Sequence, residues 1–352
     1  MIRQLESELG FTAEEIDGCL ERQGLLSLEL EFTKRCNLRC IYCYASAGEA
    51  LDGEMDTGEI LGVVSQARAL GAKTIILLGG GEPLIHPAIA GIIGRIHAMG
   101  LSQVLFTNGM LLTEEICRLL RECRVAVVVK HNSFRPEVQD ALAGVSGAHR
   151  QIRRGLGLLM EAGYPGKDHH LGIQSIVCRQ NRDEIVKMWV WARERGITPY
   201  FEVLTNQGRA RSNPQLNLSL GEIRDLFQGL ADVDRERFGV RWTPRPPIAA
   251  FACRRHLYSC LVNSQGHVQP CTGIDLSVGS VREKPLGDIL KESGLIRDLR
   301  RIRETIDPSC RSCRYRGECY GCRGNAYQAT GDPLAADPAC WVRSCDATEV
   351  CG

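Results

Sequence analysis

Three cysteines stand within one short loop, Cys36-Asn-Leu-Arg-Cys40-Ile-Tyr-Cys43, directly after an apolar run that reads as a strand. Three thiolates so close together suit a soft metal centre. A structural zinc site closes with four ligands, and no fourth cysteine or histidine is local to this loop. The nearest histidine, His86, is far along the chain and would have to be brought in by folding. A cubane iron–sulfur cluster has four irons, so three thiolates would leave one iron open to bind something else. The spacing favours the cluster, with zinc and unrelated thiols as the competing readings.

A second group lies near the C-terminus: Cys310-x2-Cys313-x5-Cys319-x2-Cys322 followed by Cys340, with Cys253, Cys260 and Cys271 upstream and Gly266 five residues before Cys271. These eight thiolates are the number that saturates two further [4Fe–4S] clusters. C-x2-C is also a zinc-knuckle spacing, so a pair of zinc ribbons is the alternative. Cys345 and Cys351 stand close enough to compete with Cys340 for the last position. Cys19, Cys117, Cys123 and Cys178 fall in expected helices or a strand and read as small core residues. His169, His170 and His256 read as surface or packing residues.

The rest of the chain must position these groups. It has 352 residues, 43 basic and 42 acidic side chains, and 44% hydrophobic residues. At ~150 residues per domain, this allows two domains and a sizeable core. A formal charge of +1 gives no global attraction to phosphate, which argues against nucleic-acid binding. No apolar run approaches the ~20 residues that span a bilayer. The polar, acidic start lacks a secretory h-region, so seventeen cysteines imply thiolate–metal chemistry in a reducing cytoplasm rather than disulfides.

Strand and helix signals alternate from residue 25. Strands are expected at Leu25–Phe32, Lys73–Leu78, Gln103–Thr107, Val125–Lys130, Leu171–Val177 and Pro199–Leu204. Helices are expected at Thr57–Leu70, Pro87–Met99, Thr113–Cys123, His149–Ala162 and Asn181–Arg195, the third and fifth marked by caps at Thr113 and Asn181. Continuous apolar strands separated by helices make a parallel sheet covered by helices. Six units suggest an α/β fold of the partial (β/α)6, TIM-like barrel type, with chemistry at the carboxyl ends of the strands. The expected division is 1–24, a helical segment; 25–215, the barrel; 216–252, a helix and the proline-rich connector Trp242–Ile248; and 253–352, a Cys-rich extension needing metal to hold its shape.

The C-x3-C-x2-C loop after the first strand, with Tyr42 before its last cysteine, resembles the signature of the radical S-adenosylmethionine (SAM) superfamily. The resemblance implies that the open iron chelates SAM, and that one electron yields a 5′-deoxyadenosyl radical that takes hydrogen from a substrate. Gly80-Gly81-Glu82-Pro83, ending the second strand, matches that family's GGEP motif for the SAM amino group. Lys130-His131-Asn132-Ser133 ends the fourth strand, where relatives contact the SAM ribose or carboxylate; peptide-modifying relatives often carry Ser-x-Asp-Gly there. Tyr42, Lys130, Asn132 and Ser133 are therefore candidate cofactor contacts. Tyr44, Gln174, Ser175, Glu202 and Thr205 are weaker candidates for the pocket.

The C-terminal cysteines resemble the SPASM extension of that superfamily, one residue short in the last spacing of the central group. By this resemblance one auxiliary cluster takes Cys253, Cys260, Cys271 and Cys322, and the other takes Cys310, Cys313, Cys319 and Cys340. Sulfatase-maturing relatives place an aspartate after the residue equivalent to Cys271; Thr272 stands here, and nearby Asp275 is the candidate proton acceptor. The family expectation is hydrogen abstraction from a residue of a ribosomally made peptide, with flavodoxin or ferredoxin as reductant. The chain has little room for an N-terminal recognition domain, which points to a separate recognition protein or to direct binding of the peptide. The segment Cys322–Cys340 also resembles relatives that trim haem-precursor side chains, so such small molecules, or sugars, are the alternative substrates. A non-catalytic electron carrier or zinc protein is the alternative class.

Overall fold

A computed structural model describes residues 11–244 and 253–342. One nine-stranded sheet runs through both parts, in the order β6-β5-β4-β3-β2-β1-β7-β8-β9. Strands β1 (Ser27–Thr33), β2 (Thr74–Gly80), β3 (Ser102–Thr107), β4 (Ala126–Lys130), β5 (Leu171–Val177) and β6 (Thr198–Val203) follow one another in chain order and are all parallel. This is the expected partial barrel. The expected strands match to within two residues at each end because the apolar runs are bounded by glycines, prolines and helix caps.

Helices cover the outer face. They are α1 (Ala13–Glu21), α2 (Thr57–Ala69), α3 (Ile89–Ala98), α4 (Glu114–Glu122), α5 (Pro136–Ala143), α6 (Ala148–Glu161), α7 (Ile185–Glu194) and α8 (Leu220–Phe238). Capping boxes start α1 at Thr12 and Glu15, α2 at Asp56 and Glu59, and α8 at Ser219 and Glu222, satisfying otherwise orphaned N–H groups. Thr113 caps α4 as expected. Asn181 does not cap a helix directly. Its side chain bonds the Asn132 and Ile176 carbonyls, and α7 begins four residues later. The short α5 is an addition to the expected elements, set up by Pro136 at its first turn.

Strand alternation sorts the core into two faces. Leu28, Leu30 and Phe32 of β1 join Ile75, Leu77, Val127 and Val129 in the large core beneath the helices. Ile76, Val104, Phe106, Ala126, Val128 and Tyr200 form a smaller cluster inside the barrel. Burying a side chain of this size stabilises by roughly 1.5–3 kcal/mol, so the outer layer is the main source of stability.

After α8 the sheet continues. β7 (Ser259–Val262) pairs in parallel with β1, and β8 (His267–Gln269) and β9 (Gly279–Ser280) add antiparallel strands. Short helices α9 (Arg255–Tyr258), α10 (Leu286–Glu292), α11 (Gly294–Arg300), α12 (Ile302–Thr305), α13 (Pro308–Arg311) and α14 (Arg323–Thr330) complete the extension. Ile274, Leu299, Ile302, Ile306 and Tyr320 give it a small apolar core that turn-rich composition had not suggested. The connector's residues 245–248, with Cys345 and Cys351, lie outside the described residues.

Candidate active site

The three-cysteine loop leaves β1 and is clamped from four directions. Gly81 and Glu82 donate backbone N–H bonds to the carbonyls of Thr33 (2.7 Å) and Arg35 (3.0 Å). Arg39 and Ile41 donate to Ala143 and Leu142 at the end of α5, at 3.0 and 3.1 Å. Arg209 donates from Nε to the Cys40 carbonyl and from a terminal nitrogen to the Ala47 carbonyl, both at 2.8 Å. Tyr42, buried, receives a 2.6 Å bond from Asn132 Nδ2 at its hydroxyl.

The GGEP turn has its own reason for glycine. Gly80 adopts a φ of +65°, and a Cβ there would lie 2.7 Å from a Glu31 carboxylate oxygen. At Gly81 a Cβ would lie 2.0 Å from the Arg35 carbonyl, so the turn and the cysteine loop touch through backbone. Glu82 is buried, with Thr107 Oγ1 donating at 2.6 Å and the N–H groups of Asn108 and Leu84 at 2.7 and 3.2 Å. Burial nevertheless pushes its carboxyl above the usual range, partly opposed by those bonds. Pro83 opens a one-turn 3₁₀ helix.

At the end of β4 the candidates divide. Lys130 Nζ donates to Gln174 Oε1 at 2.6 Å and lies within electrostatic reach of Glu82 and Cys40. Asn132 is consumed by Tyr42 and, at its Oδ1, by the N–H of Ile176 at 2.9 Å. The Ser133 hydroxyl donates to Glu184. These two side chains hold the loops in place.

The barrel interior carries groups that the motif reading passed over. Glu29 and Glu31 alternate along β1 toward the inside. Glu31 accepts from Tyr44 Oη (3.0 Å) and Lys34 Nζ (3.1 Å), and Glu29 from an Arg255 guanidinium nitrogen at 3.1 Å. Arg255 also donates to the Tyr200 hydroxyl at 3.0 Å, and Gln174 Nε2 to Glu202. Burial raises the Glu29 carboxyl, while the Arg255 charge opposes the rise. The signal was present: two glutamates at alternate positions of a fully buried strand, Ser27-Leu-Glu-Leu-Glu-Phe-Thr33. Arg255 and Arg209 gave no such signal, being far away in sequence.

Among the described residues no three His, Cys, Asp or Glu side chains converge on one point suited to a single metal ion. His86, the distant candidate for a fourth ligand, instead packs its ring 5.9 Å from Phe32 and accepts a bond from the Ala88 N–H. A cubane spreads its thiolates over separate irons, and Cys36, Cys40 and Cys43 share the one clamped loop. Burial, with Cys43 and Cys36 adding repulsion, pushes the Cys40 thiol up to about 12, and burial raises Cys36. Thiolates so placed call for a strongly cationic core between them. Backbone N–H groups already point at sulfur: Leu38 at Cys36 (3.4 Å), Tyr315 at Cys313 (3.5 Å), Gly321 at Cys319 (3.4 Å) and Asn325 at Cys322 (3.4 Å). Such bonds tune cluster thiolates.

In the extension, Cys319 feels Cys340 and Cys310, while Cys271 feels Cys322 and Cys253. Gly273 and Gly324 pack so closely that a Cβ on either would lie 2.7 Å from the other's Cα, which brings the Cys271 turn against the start of α14. Asp337 Oδ2 receives the Cys322 N–H at 2.7 Å. Cys260 stands apart, on β7. Asp275 is exposed, bonded by Gln328 Nε2 at 3.3 Å.

The radical SAM superfamily profile matches residues 30–200, and the SPASM profile, an iron-sulfur cluster-binding domain, matches residues 253–314. The AdoMet-dependent heme synthase of Methanosarcina barkeri is 30% identical over 341 residues, covering 89% of this chain and 95% of that one. The chain belongs to the radical SAM superfamily. It is a radical SAM enzyme with a C-terminal SPASM domain. The PqqA peptide cyclase of Granulibacter bethesdensis is 26% identical, covering 90% of this chain and 86% of that protein. The crystal structure of Streptococcus suis SuiB bound to S-adenosylmethionine superposes with a TM-score of 0.73, covering 97% of this enzyme and 86% of that chain at 17% identity, a likeness of fold. Members of this superfamily with this extension bind iron–sulfur clusters and SAM. Among the described residues no helix is long and apolar enough to cross a membrane.

Proposed function

We propose that this radical SAM enzyme takes hydrogen from a side chain of a haem precursor. The observation that carries the reading is its similarity to a heme synthase over 95% of that protein. Within the Cys322–Cys340 segment, which resembles relatives that trim haem-precursor side chains, Asp337 holds the Cys322 N–H and Asn325 Nδ2 at 2.7 and 2.6 Å.

Cys36, Cys40 and Cys43 would hold the cluster that binds SAM, and the cysteines of residues 253–340 two auxiliary clusters. When bound, the cluster supplies the electron that splits SAM to methionine and a 5′-deoxyadenosyl radical. The chain's own residues do the rest. Glu82, fixed by three hydrogen bonds, sets the GGEP turn that would hold the SAM amino group. Lys130 places a positive charge on the same side of the barrel as Gln174 and Tyr200, its neighbours in strand register. Lys130, Gln174 and Glu202, with Tyr200, Arg255 and Glu29, form one polar wall that orients substrate above the inner apolar cluster. Tyr42, Asn132 and Ser133 keep the loops rigid beneath it. Asp275, exposed, is the candidate for receiving a proton. The enzyme would draw its electrons from flavodoxin or ferredoxin in the cytoplasm, and residues 25–215 and 253–352 would act as barrel and extension joined by 216–252.

The test is anaerobic incubation of the reduced enzyme with SAM and iron tetrapyrroles bearing intact side chains. Loss of side-chain mass coupled to 5′-deoxyadenosine supports the reading; 5′-deoxyadenosine without any tetrapyrrole change rejects it. The second reading is a peptide residue as substrate, favoured by the PqqA peptide cyclase similarity, with a separate recognition protein as partner. A precursor peptide in the same assay distinguishes the two.

A further inference from the structure

Arg323 is a cation disfavoured by its position in three ways. It opens α14, where the unpaired N–H groups of a helix start already present partial positive charge. It is buried, with 3% of its surface exposed. Its guanidinium is bonded at one corner, where Nη1 donates to the carbonyls of Pro333 and Ala335 at 3.0 and 2.6 Å. Among the described residues, Nε and Nη2 have no hydrogen-bond partner. A buried charge in that state needs compensation from somewhere. Asp337 is a nearby acid, yet its oxygens are taken by the N–H groups of Cys322 and Ala339 and by Asn325 Nδ2, at 2.7, 2.8 and 2.6 Å.

Sulfur lies around the unbonded side. A Cβ on Gly321 would stand 2.8 Å from Arg323 Nη2, and the Gly321 N–H points at Cys319 Sγ at 3.4 Å. Cys322 precedes Arg323, and its Sγ takes the Asn325 N–H at 3.4 Å in the same helix turn. Cys310 is within electrostatic reach as well. By the resemblance of the C-terminal cysteines, Cys322 belongs to one auxiliary cluster and Cys310 and Cys319 to the other. Arg323 thus adjoins thiols of both sets.

We propose that the Arg323 guanidinium is the buried counter-charge of the auxiliary clusters, its unbonded N–H groups serving their sulfurs and its charge raising their reduction potentials. Four thiolates outweigh the charge of an iron–sulfide core, and reduction adds a further negative charge, so a fixed cation beside it favours the reduced state. That compensation accounts for a buried, half-bonded cation at a helix start. Arg323 acts through the clusters and is a positioning residue. The proposal rests on the reading that the cysteines of residues 253–340 hold two clusters, and not on the identity of the substrate.

The test is a redox titration of the full chain followed by electron paramagnetic resonance. It is run in a Cys36→Ala, Cys40→Ala, Cys43→Ala parent, so that only clusters of the extension respond. Arg323→Gln is expected to keep about eight irons and to move at least one auxiliary cluster to a more negative potential. Arg323→Lys, which keeps the charge, is expected to titrate as the parent does. Unchanged potentials in Arg323→Gln overturn the proposal, as does a shift in Arg323→Lys as large as that in Arg323→Gln. If Arg323→Gln loses its iron, Arg323→Lys decides. Iron retained at the parent's potentials supports the proposal, because charge alone has restored the clusters. Iron lost from both variants shows that Arg323 serves only to hold the chain, and overturns it. A parent whose extension binds no iron removes the two-cluster reading itself, and this proposal with it.

Discussion

The side-chain amide of Asn132 donates to the Tyr42 hydroxyl at 2.6 Å, across 90 residues of sequence. It ties the loop carrying Cys40 and Cys43 to the end of β4. Losing a buried bond of this kind costs about 1–3 kcal/mol in the geometry it maintains. Asn132→Ala is therefore expected to slow 5′-deoxyadenosine formation roughly 10- to 100-fold with iron content retained. Tyr42→Phe is expected to act in the same direction. Unchanged rates in both variants would show that the loop needs no such tie.

His131 lies one residue before that tie and is buried with both ring nitrogens unpartnered, between Phe134, His149 and Trp191. Burial, helped by Arg153 and His149, lowers its pKa from 6.5 to about 3. The unfolded chain then takes the proton first as pH falls. Stability present above 6.5 is lost between 6.5 and about 3. His131→Leu is expected to flatten that loss, as read from denaturant midpoints at pH 7 and 4.5. A variant whose midpoints fall as steeply as the wild type's counts against it. His256, also lowered to about 3 by burial, keeps part of the acid lability in either protein.

Asp234, fully buried on α8, receives bonds from Trp189 and Trp242 Nε1 at 2.8 and 2.9 Å and from two Arg193 nitrogens at 3.0 and 2.6 Å. Removing it strands a buried guanidinium. Asp234→Ala is expected to cost about 3–5 kcal/mol of stability, measured by chemical denaturation. A loss below about 1 kcal/mol would mean that Arg193 finds water on its own.

Gly273 and Gly324 give a prediction about assembly. Gly324→Ala is compatible with the helical backbone of α14, yet its Cβ meets the backbone of the Cys271 turn. The variant is expected to lose about four irons while keeping SAM cleavage by the first site. Full iron content would show that the two backbones part without loosening the thiolates.

Much of the barrel was legible because each apolar run carries its own punctuation: Gly79 to Gly81 at the end of β2, Thr113 before α4. Cys36, Cys40, Cys43 and the GGEP turn were legible because one loop holds each set. Three things were hidden. β7 joins β1 only through long-range pairing, so the orientation of Cys260 is a matter of register that spacing cannot express. Arg255 and Glu29 meet across 226 residues. Asn181 follows the expected capping pattern, but Asn132 and Ile176 offer it buried carbonyls that outweigh a helix start.

Cleavage of SAM at the three-cysteine loop is the step on which every later one depends. Anaerobically reconstituted wild-type enzyme, reduced with dithionite, is expected to convert SAM to 5′-deoxyadenosine and methionine. Cys40→Ala is expected to keep the iron of the extension and produce none. SAM cleavage at wild-type rate by Cys40→Ala would contradict it.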